Sequence, residues 1–463
     1  MTAGRRTTIL CVAVCAILAR SWTTANAQDA NGSAGLSEPV ERWLTRALAE
    51  ADKLPIADQK SRAYATASLV YAECGDSAAA RRTWEAALRL APAKGFASYA
   101  VREEVVRAQL AAGDANAAKA TADGSDSAGS STARECKISA YCGIAELHSR
   151  RNDQAAARSA TDKAMQLADR GVQEAKKSEH GYMMKGAVAK YGNIARCQVL
   201  AGDLQKAEAT LAKMGEAAQA KWPVVLAQAA AMQAEWGRKD AAAKTVSLAR
   251  ERATGLSTAA QQAVGWSAVL QAEQARGDVS GAKSALKAAT EAARKAQPSP
   301  EVAFVFKSVA ECCLHMGDKE GVRASIQDLT ALAEKLPSGK AWILQWLVRL
   351  YGDLGDVAAA AKAADQVNSS YLKPLVLGDL AVCYAAAGDL QRAKTAFSGM
   401  SNKDAEALGW EKVAKRMGEQ GKTEELDGVF ADINDARMRC AFSLGAAEGL
   451  AQRRRAANTS TDR

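Results

Sequence analysis

The sequence predicts an all-α protein, an α-α solenoid (superhelix) of about ten helix pairs with a capping helix at each end. Three observations carry this. A short unit built on Gly-Asp recurs: "VLAGDLQKAE" surrounds Gly202 and "AAAGDLQRAK" surrounds Gly388. Hydrophobic residues make up 48% of the 463 residues but aromatics only 5%, an alanine-rich balance that suits close helix packing better than strands. Eight prolines leave room for many unbroken helices.

In chain order, "MTAGRR" supplies Arg5 and Arg6 ahead of an apolar run of 13 residues, Thr7 to Ala19. Ala25-Asn26-Ala27 then offers a small-x-small cleavage site. Residues 1–27 therefore read as a secretory signal peptide, and the mature protein is expected in the periplasm or outside the cell. A spanning anchor needs about 20 apolar residues, which makes an uncleaved anchor the weaker reading. A lipoprotein reading at Cys15 is weaker still, because bulky Val14 precedes it and the apolar run continues. Contact with membrane is expected only through the cleaved signal. Cleavage takes Arg5, Arg6 and Arg20 from 61 basic residues and nothing from 52 acidic ones, leaving +6. Both signs are interspersed, as on a solvated helical surface. Arg453-Arg454-Arg455 is the one basic cluster, and no basic stripe with stacking aromatics accompanies it, so no nucleic-acid partner is expected.

Residues 28–37 read as a flexible lead. Residues 38–122 hold an N-terminal cap helix ("EPVERWLTRALAEADKL", 38–54) and two pairs, 57–91 and 94–122. "DGSDSAGSSTAR", 123–134, reads as a linker because small polar residues cannot form a core. Eight more pairs fill 135–432, a C-terminal cap helix takes 433–455, and 456–463 form a disordered tail. At about 10 Å per helix layer, ten pairs predict an elongated body of order 100 Å.

The unit has a physical reading. A glycine just past an apolar-periodic segment supplies the left-handed residue that ends a helix. The following aspartate caps the next helix by accepting from its free N–H groups. Copies centre on Gly75, Gly113, Asn152, Gly202, Gly277, Gly317, Gly355 and Gly388, with degraded copies near Lys239 and at Gly421. Their intervals are 38, 39, 50, 37, 38, 40, 38, 33 and 33, the range of helical repeats. Four residues past the aspartate stands an alanine in seven of nine copies: Ala80, Ala118, Ala157, Ala207, Ala282, Ala360 and Ala393. Pairs such as Ile144-Ala145, Ile194-Ala195, Val309-Ala310, Leu380-Ala381 and Val413-Ala414 stand eight and seven residues before the turn. Small residues at fixed offsets on both helices predict a repeated close crossing.

These features resemble the tetratricopeptide repeat family, most closely in "Tyr71…Gly75-Asp76…Ala80…Ala87-Leu88…Ala91-Pro92". The resemblance covers about 57–432 through short degenerate signals; most intervals exceed the family's length of about 34, and the closing proline is mostly missing. It implies a binding groove lined by the first helices. Carried over by offset from each turn, the groove residues are Glu103, Arg107, Glu146, Arg196, Gln271, Lys307, Glu311, Trp342, Gln345, Arg349, Glu411 and Lys415. The same residues also read as ordinary solvated helix faces. The family's carboxylate clamp of Lys and Asn is not reproduced, so the acidic tail of a chaperone is not the implied ligand.

Catalytic patterns are not found. His148, His180 and His315 make no ligand pair at helical spacing. "GYMMKGAV" lacks the Lys-Ser/Thr of a phosphate loop, and "DGSDSAG" lacks the alternating oxygens of a calcium loop. No catalytic residue, metal or cofactor is expected. Past the signal stand Cys74, Cys136, Cys142, Cys197, Cys312, Cys313, Cys383 and Cys440, with no C-x-x-C. They read as small buried apolar residues or, in an oxidising compartment, as disulfides whose pairing sequence cannot assign. The helical tryptophans read as core wedges or as part of a ligand groove. The function this favours is an exported scaffold for protein–protein interaction or assembly, with no catalysis of its own and a protein or peptide ligand. The alternatives are a glycan- or lipid-binding envelope factor, or the non-catalytic α-superhelical part of an envelope enzyme system.

Overall fold

The computed structural model describes residues 36–461 apart from 94, 125–130, 178–180, 399 and 401. The expected signal peptide, most of the lead and half of the expected linker lie outside the described residues. Among the described residues there are twenty-two helices and no strand. The chain opens with α1 (Glu38–Asp52) and closes with α22 (Ala436–Thr461). Between them stand ten pairs. Their first helices are α2 (Ala57–Glu73), α4 (Phe96–Ala111), α6 (Ser131–Arg150), α8 (Gly181–Leu200), α10 (Ala217–Glu235), α12 (Ala259–Arg276), α14 (Pro300–His315), α16 (Lys340–Asp353), α18 (Lys373–Ala386) and α20 (Lys403–Gln420). Their second helices are α3 (Ser77–Leu90), α5 (Ala115–Asp123), α7 (Gln154–Lys176), α9 (Leu204–Ala212), α11 (Lys239–Thr254), α13 (Val279–Lys295), α15 (Lys319–Lys335), α17 (Val357–Asp365), α19 (Leu390–Ser398) and α21 (Thr423–Asp432). Residues 131–134, read as linker, begin α6, and 456–461, read as tail, continue α22.

Each turn within a pair has the same construction. The first helix ends at a left-handed residue, a glycine with φ between +71° and +86° or, once, Asn152 at +61°. The next N–H donates to the carbonyl five residues back, as Asp76 does to Tyr71 and Asp389 to Tyr384. Eight aspartates then accept from the N–H three residues on, for instance Asp76 from Ala79 at 2.8 Å and Asp389 from Arg392 at 2.9 Å. Two turns lack the aspartate. At these, Arg238 donates to the Ser149 and Arg150 carbonyls, and Lys422 to those of Ala385 and Ala386. Both reach the C-terminal end of an earlier first helix. The first of these turns corrects the reading near Lys239: the left-handed residue is Gly237, which makes the flanking intervals 35 and 40. Arg238 occupies the cap position there, in place of an aspartate.

All seven alanines four past the cap are buried, and so are Ala242, Val322 and Leu426 at that offset in the other pairs. The Ile144-Ala145 type of pair is buried at every copy. Neighbouring first helices pack against one another along the whole series, whereas second helices pack mainly on first helices. First helices therefore form an inner wall and second helices an outer layer.

The elongated body does not form. α22 packs on α20 as a further first helix, α1 packs on α22 as its second helix, and α22 also touches α2. The two helices expected to cap separate ends cap each other, and the eleventh pair they make closes a ring. One apolar core runs through this joint, from Val40 and Leu44 to Phe442 and Leu450. Trp43 is fully buried there, 5.5 Å from Phe430 and 5.9 Å from Phe442 between ring centroids, both edge-on. Arg42 and Arg46 both pair with Asp427 on α21, and Arg455 pairs with Glu73 on α2 at 3.0 Å. Ion pairs between consecutive second helices, such as Lys213–Asp169 and Arg294–Asp328, recur around the outside, and the Asp427 pairs continue them across the joint. Gly445 and Gly449 let α22 meet α20 backbone to backbone: a Cβ at either would overlap the carbonyl oxygen of Glu411 or Lys415.

Candidate functional site

Positions 13, 10 and 6 before the turn residue fall on one helix face, because steps of three and four return to the same side. The resemblance placed the groove on this stripe. The structure shows what each member touches. Glu146 on α6 is buried and pairs with Arg196 on α8 at 2.6 Å. Lys307 and Glu311 pair within α14 at 2.7 Å. Gln345 and Arg349 on α16 both donate to one oxygen of Asp379 on α18 at 2.9 Å, and Lys412 on α20 donates to the other at 2.8 Å. Lys415 on α20 pairs with Glu448 on α22 at 2.7 Å. Arg107 pairs with Glu104 beside it at 2.8 Å. Glu103 is half-buried, with the Cys136 thiol of α6 3.9 Å away. Glu411 is half-buried, and Gln271 is exposed.

Half of the stripe thus links one first helix to the next. Asp379, which the sequence reading passed over, is its hub. Burial alone would raise its carboxyl, but Lys412 and Arg349 outweigh burial and hold it below the ordinary carboxylate value. Its signal was in view: one acid inside "PLVLGDLAVC", a run apolar enough to bury whatever it carries. Further along, Asp353 pairs with Arg416 at 3.2 Å, spanning from α16 to α20 past α18. Burial pushes the Asp353 carboxyl up, and Glu311 and Glu419 add to the rise against Arg416. The Arg238 bonds likewise pass over α8 to reach α6. Both of these long contacts lie toward the C-terminal ends of first helices, so the inner wall draws in at the rim that carries the turns.

One sector differs. α14 and α16 make the slightest contact of any neighbouring first helices. Phe304 between them is 43% exposed, with Trp346 edge-on at 6.4 Å and the Lys307 ammonium 5.4 Å above its ring. Trp342 is half-buried against the core. Phe304 and Trp346 lay outside the residues carried over by offset. Phe304 nevertheless stands 13 before Gly317, the offset that gave Trp342, and the aromatic density of α14 and α16 was the only mark of Trp346. Elsewhere, a hollow of about 130 Å³ beside α13, α14 and α15 is lined by Val302, Phe306 and Leu332 and edged by Arg294 and Asp328. It is smaller than the usual cleft for a small-molecule ligand, about 300–1,000 Å³. Among the described residues no group of three or more His, Cys, Asp and Glu is placed to hold a metal, and no helix is long and apolar enough to cross a membrane. Among the described residues six of the eight cysteines are buried, Cys74 and Cys136 are half-buried, and none is in a disulfide.

No family model and no curated protein matches this chain. Among solved structures it is similar to a circular tandem repeat protein with novel repeat topology and enhanced subunit contact surfaces. The identity is 13%, over 92% of this chain and 99% of that one, with a TM-score of 0.20.

Proposed function

We propose that this chain is an exported, tetratricopeptide-like scaffold that binds a protein or peptide partner and performs no catalysis of its own. The observation that carries the reading is the α14–α16 sector, where the inner wall opens and leaves Phe304 exposed over Trp346. Aromatic anchors in partly desolvated slots supply a disproportionate share of binding energy at protein interfaces. Lys307, Glu311 and Arg349 flank the slot and supply polar rim contacts. Eleven first helices spaced about 9 Å apart in a round ring leave an opening of about 20 Å, side chains included. The partner would therefore offer a segment, helical or extended, that enters from one face. The two-helix unit with its Gly-Asp turn and small crossing residues supports the tetratricopeptide likeness, and the basic, apolar and small-residue regions of 1–27 support export.

The test is a crosslinking pull-down from the envelope fraction with wild type and a Phe304→Ala, Lys307→Glu double variant. A partner captured by wild type and lost with the variant is the expected result. A partner held equally by both would remove the slot. No partner at all would remove the scaffold. The exposed ring of Phe304 also favours a second reading, a glycan stacked on the aromatics, which Trp346 fluorescence during oligosaccharide titration would report.

A further inference from the structure

Eight cysteines follow the expected cleavage site, and the fold brings the side chain of one against the backbone of another. Cys142 lies on α6 and Cys197 on the neighbouring first helix α8. The Cys197 sulfur is 3.5 Å from the Cys142 carbonyl oxygen and 3.7 Å from Oε1 of Glu146, one turn further along α6. Both are buried, at 4% and 0% exposure. The Glu146–Arg196 ion pair, one turn along α6 from Cys142, holds the register that opposes them. Other cysteines have other neighbours. Cys383 lies against the Val348 and Asp379 carbonyls, Cys136 faces Glu103, and Cys312 and Cys313 are adjacent on one helix and point about 100° apart.

We propose that Cys142 and Cys197 are a disulfide site, joined as the protein folds outside the cytoplasm and stapling α6 to α8 across the whole of α7. This rests on the export proposed above. In the reaction, one cysteine thiolate attacks a disulfide-bearing protein oxidant to form a mixed disulfide. The second thiolate then displaces the oxidant's sulfur. One protein disulfide forms, the oxidant's disulfide is reduced to two thiols, and the two thiol protons of this chain pass to them. The bond must form before α8 docks. Once docked, the Cys142 contact and burial hold the Cys197 thiol protonated, and a protonated buried thiol does not react.

The experiment has two arms, both read by alkylation without reduction, proteolysis and mass spectrometry. In the first, purified mature chain is denatured, reduced and refolded in a glutathione redox buffer. A linked peptide containing Cys142 and Cys197 is expected, and their recovery as alkylated thiols, or linked to other cysteines, overturns the site. In the second, protein is taken from a host that exports it with its own signal, and the fractionation that recovers it tests export separately. The same linked peptide is expected in the exported protein. Free Cys142 and Cys197 in exported, cleaved protein would also overturn the proposal. Cys142→Ser should leave Cys197 fully alkylated in both arms, and Cys197 found bridged to any other cysteine would refute the pairing. Protein folded while reduced and then exposed to diamide should keep both thiols.

Discussion

Trp43→Ala tests whether the ring is closed by a discrete joint. Trp43 is fully buried between α21 and α22, and Phe430 and Phe442 approach it edge-on. Truncating a buried aromatic to alanine costs about 3–5 kcal/mol. The upper part of that range applies, because each edge-on contact adds about 0.5–1.5 kcal/mol beyond area. The Arg46 guanidinium, 4.7 Å over the indole, loses its platform as well. What remains at the joint is the aliphatic packing of Val40, Leu44 and Ala47 and the ion pairs of Arg42 and Arg46 with Asp427 and of Arg455 with Glu73, of which the most exposed, Arg42–Asp427, is worth at most about 1 kcal/mol. In a repeat array stability is close to a sum of neighbour terms, so the loss stays local. About 4 kcal/mol raises the open fraction roughly 10³-fold.

Hydrogen exchange should therefore quicken in α1, α21 and α22 while the helical circular dichroism persists, and the radius of gyration from solution scattering should rise. Trp84→Ala is the control. Trp84 is also buried, but on α3 inside an ordinary pair, and its loss should quicken exchange in α2 to α4. Faster exchange spread evenly round the ring in Trp43→Ala, with unchanged dimensions, would refute the joint. Trp43→Phe should be mild, since the indole N–H has no hydrogen-bond partner to lose.

Gly445→Ala should cost about 1–3 kcal/mol by forcing α22 away from the Glu411 carbonyl. Gly428→Ala, where a Cβ meets nothing within 4 Å, should stabilise by up to about 1 kcal/mol, and thermal melts of the pair decide between packing and propensity. Asp379→Asn leaves Arg349 and Lys412 without their shared carboxylate, but at 48% and 26% exposure both cations reach water, so the cost should be about 1.5–3 kcal/mol in urea titrations at neutral pH. Its folded value lies below the unfolded one, so the contribution is whole above the unfolded value and is lost as pH falls through the folded value. The variant should lack that part of the acid-induced loss. Glu235 moves the other way. Burial, against Arg150, pushes its carboxyl up to about 7, so the folded protein holds a proton the unfolded chain has released. Wild-type stability should fall as pH rises from about 4.3 to about 7, and Glu235→Gln should be flatter over that window and more stable at its upper end. An identical slope in both proteins would exclude Glu235 as its source.

The helix pairs were legible because the instruction for them is local. Gly388 and Asp389 are adjacent, and the bonds they make reach no further than five residues. Asn152 was legible for the same reason, since asparagine is the commonest substitute for glycine at a left-handed position. Ring closure is of another kind. Eleven pairs close only if each turns by roughly 33° relative to the last, and that angle is set by side-chain volumes at every crossing. Two residues at a turn do not encode it. One trace was present. A terminal cap should keep a polar outer face, yet α22 carries "CAFSLGAA" and buries Ser443 to Ala447 without a break. That is the pattern of a helix covered on both sides, hence of a first helix with neighbours on each flank. The inner stripe divides in the same way. Offsets from the turn found Gln345 and Arg349, because periodicity places a residue on a face. They did not find Asp379, which stands one residue off the offset and matters through contacts with two other helices. Arg238 and Lys422 show why the two kinds of information trade against each other. Where the turn gives up its aspartate, it loses a local cap and gains a cation that ties its rim to an earlier first helix. Of the two, Arg238 passes over α8 to bind α6 and Lys422 binds the adjoining α18, so each exchanges a local cap for a bond to another part of the ring.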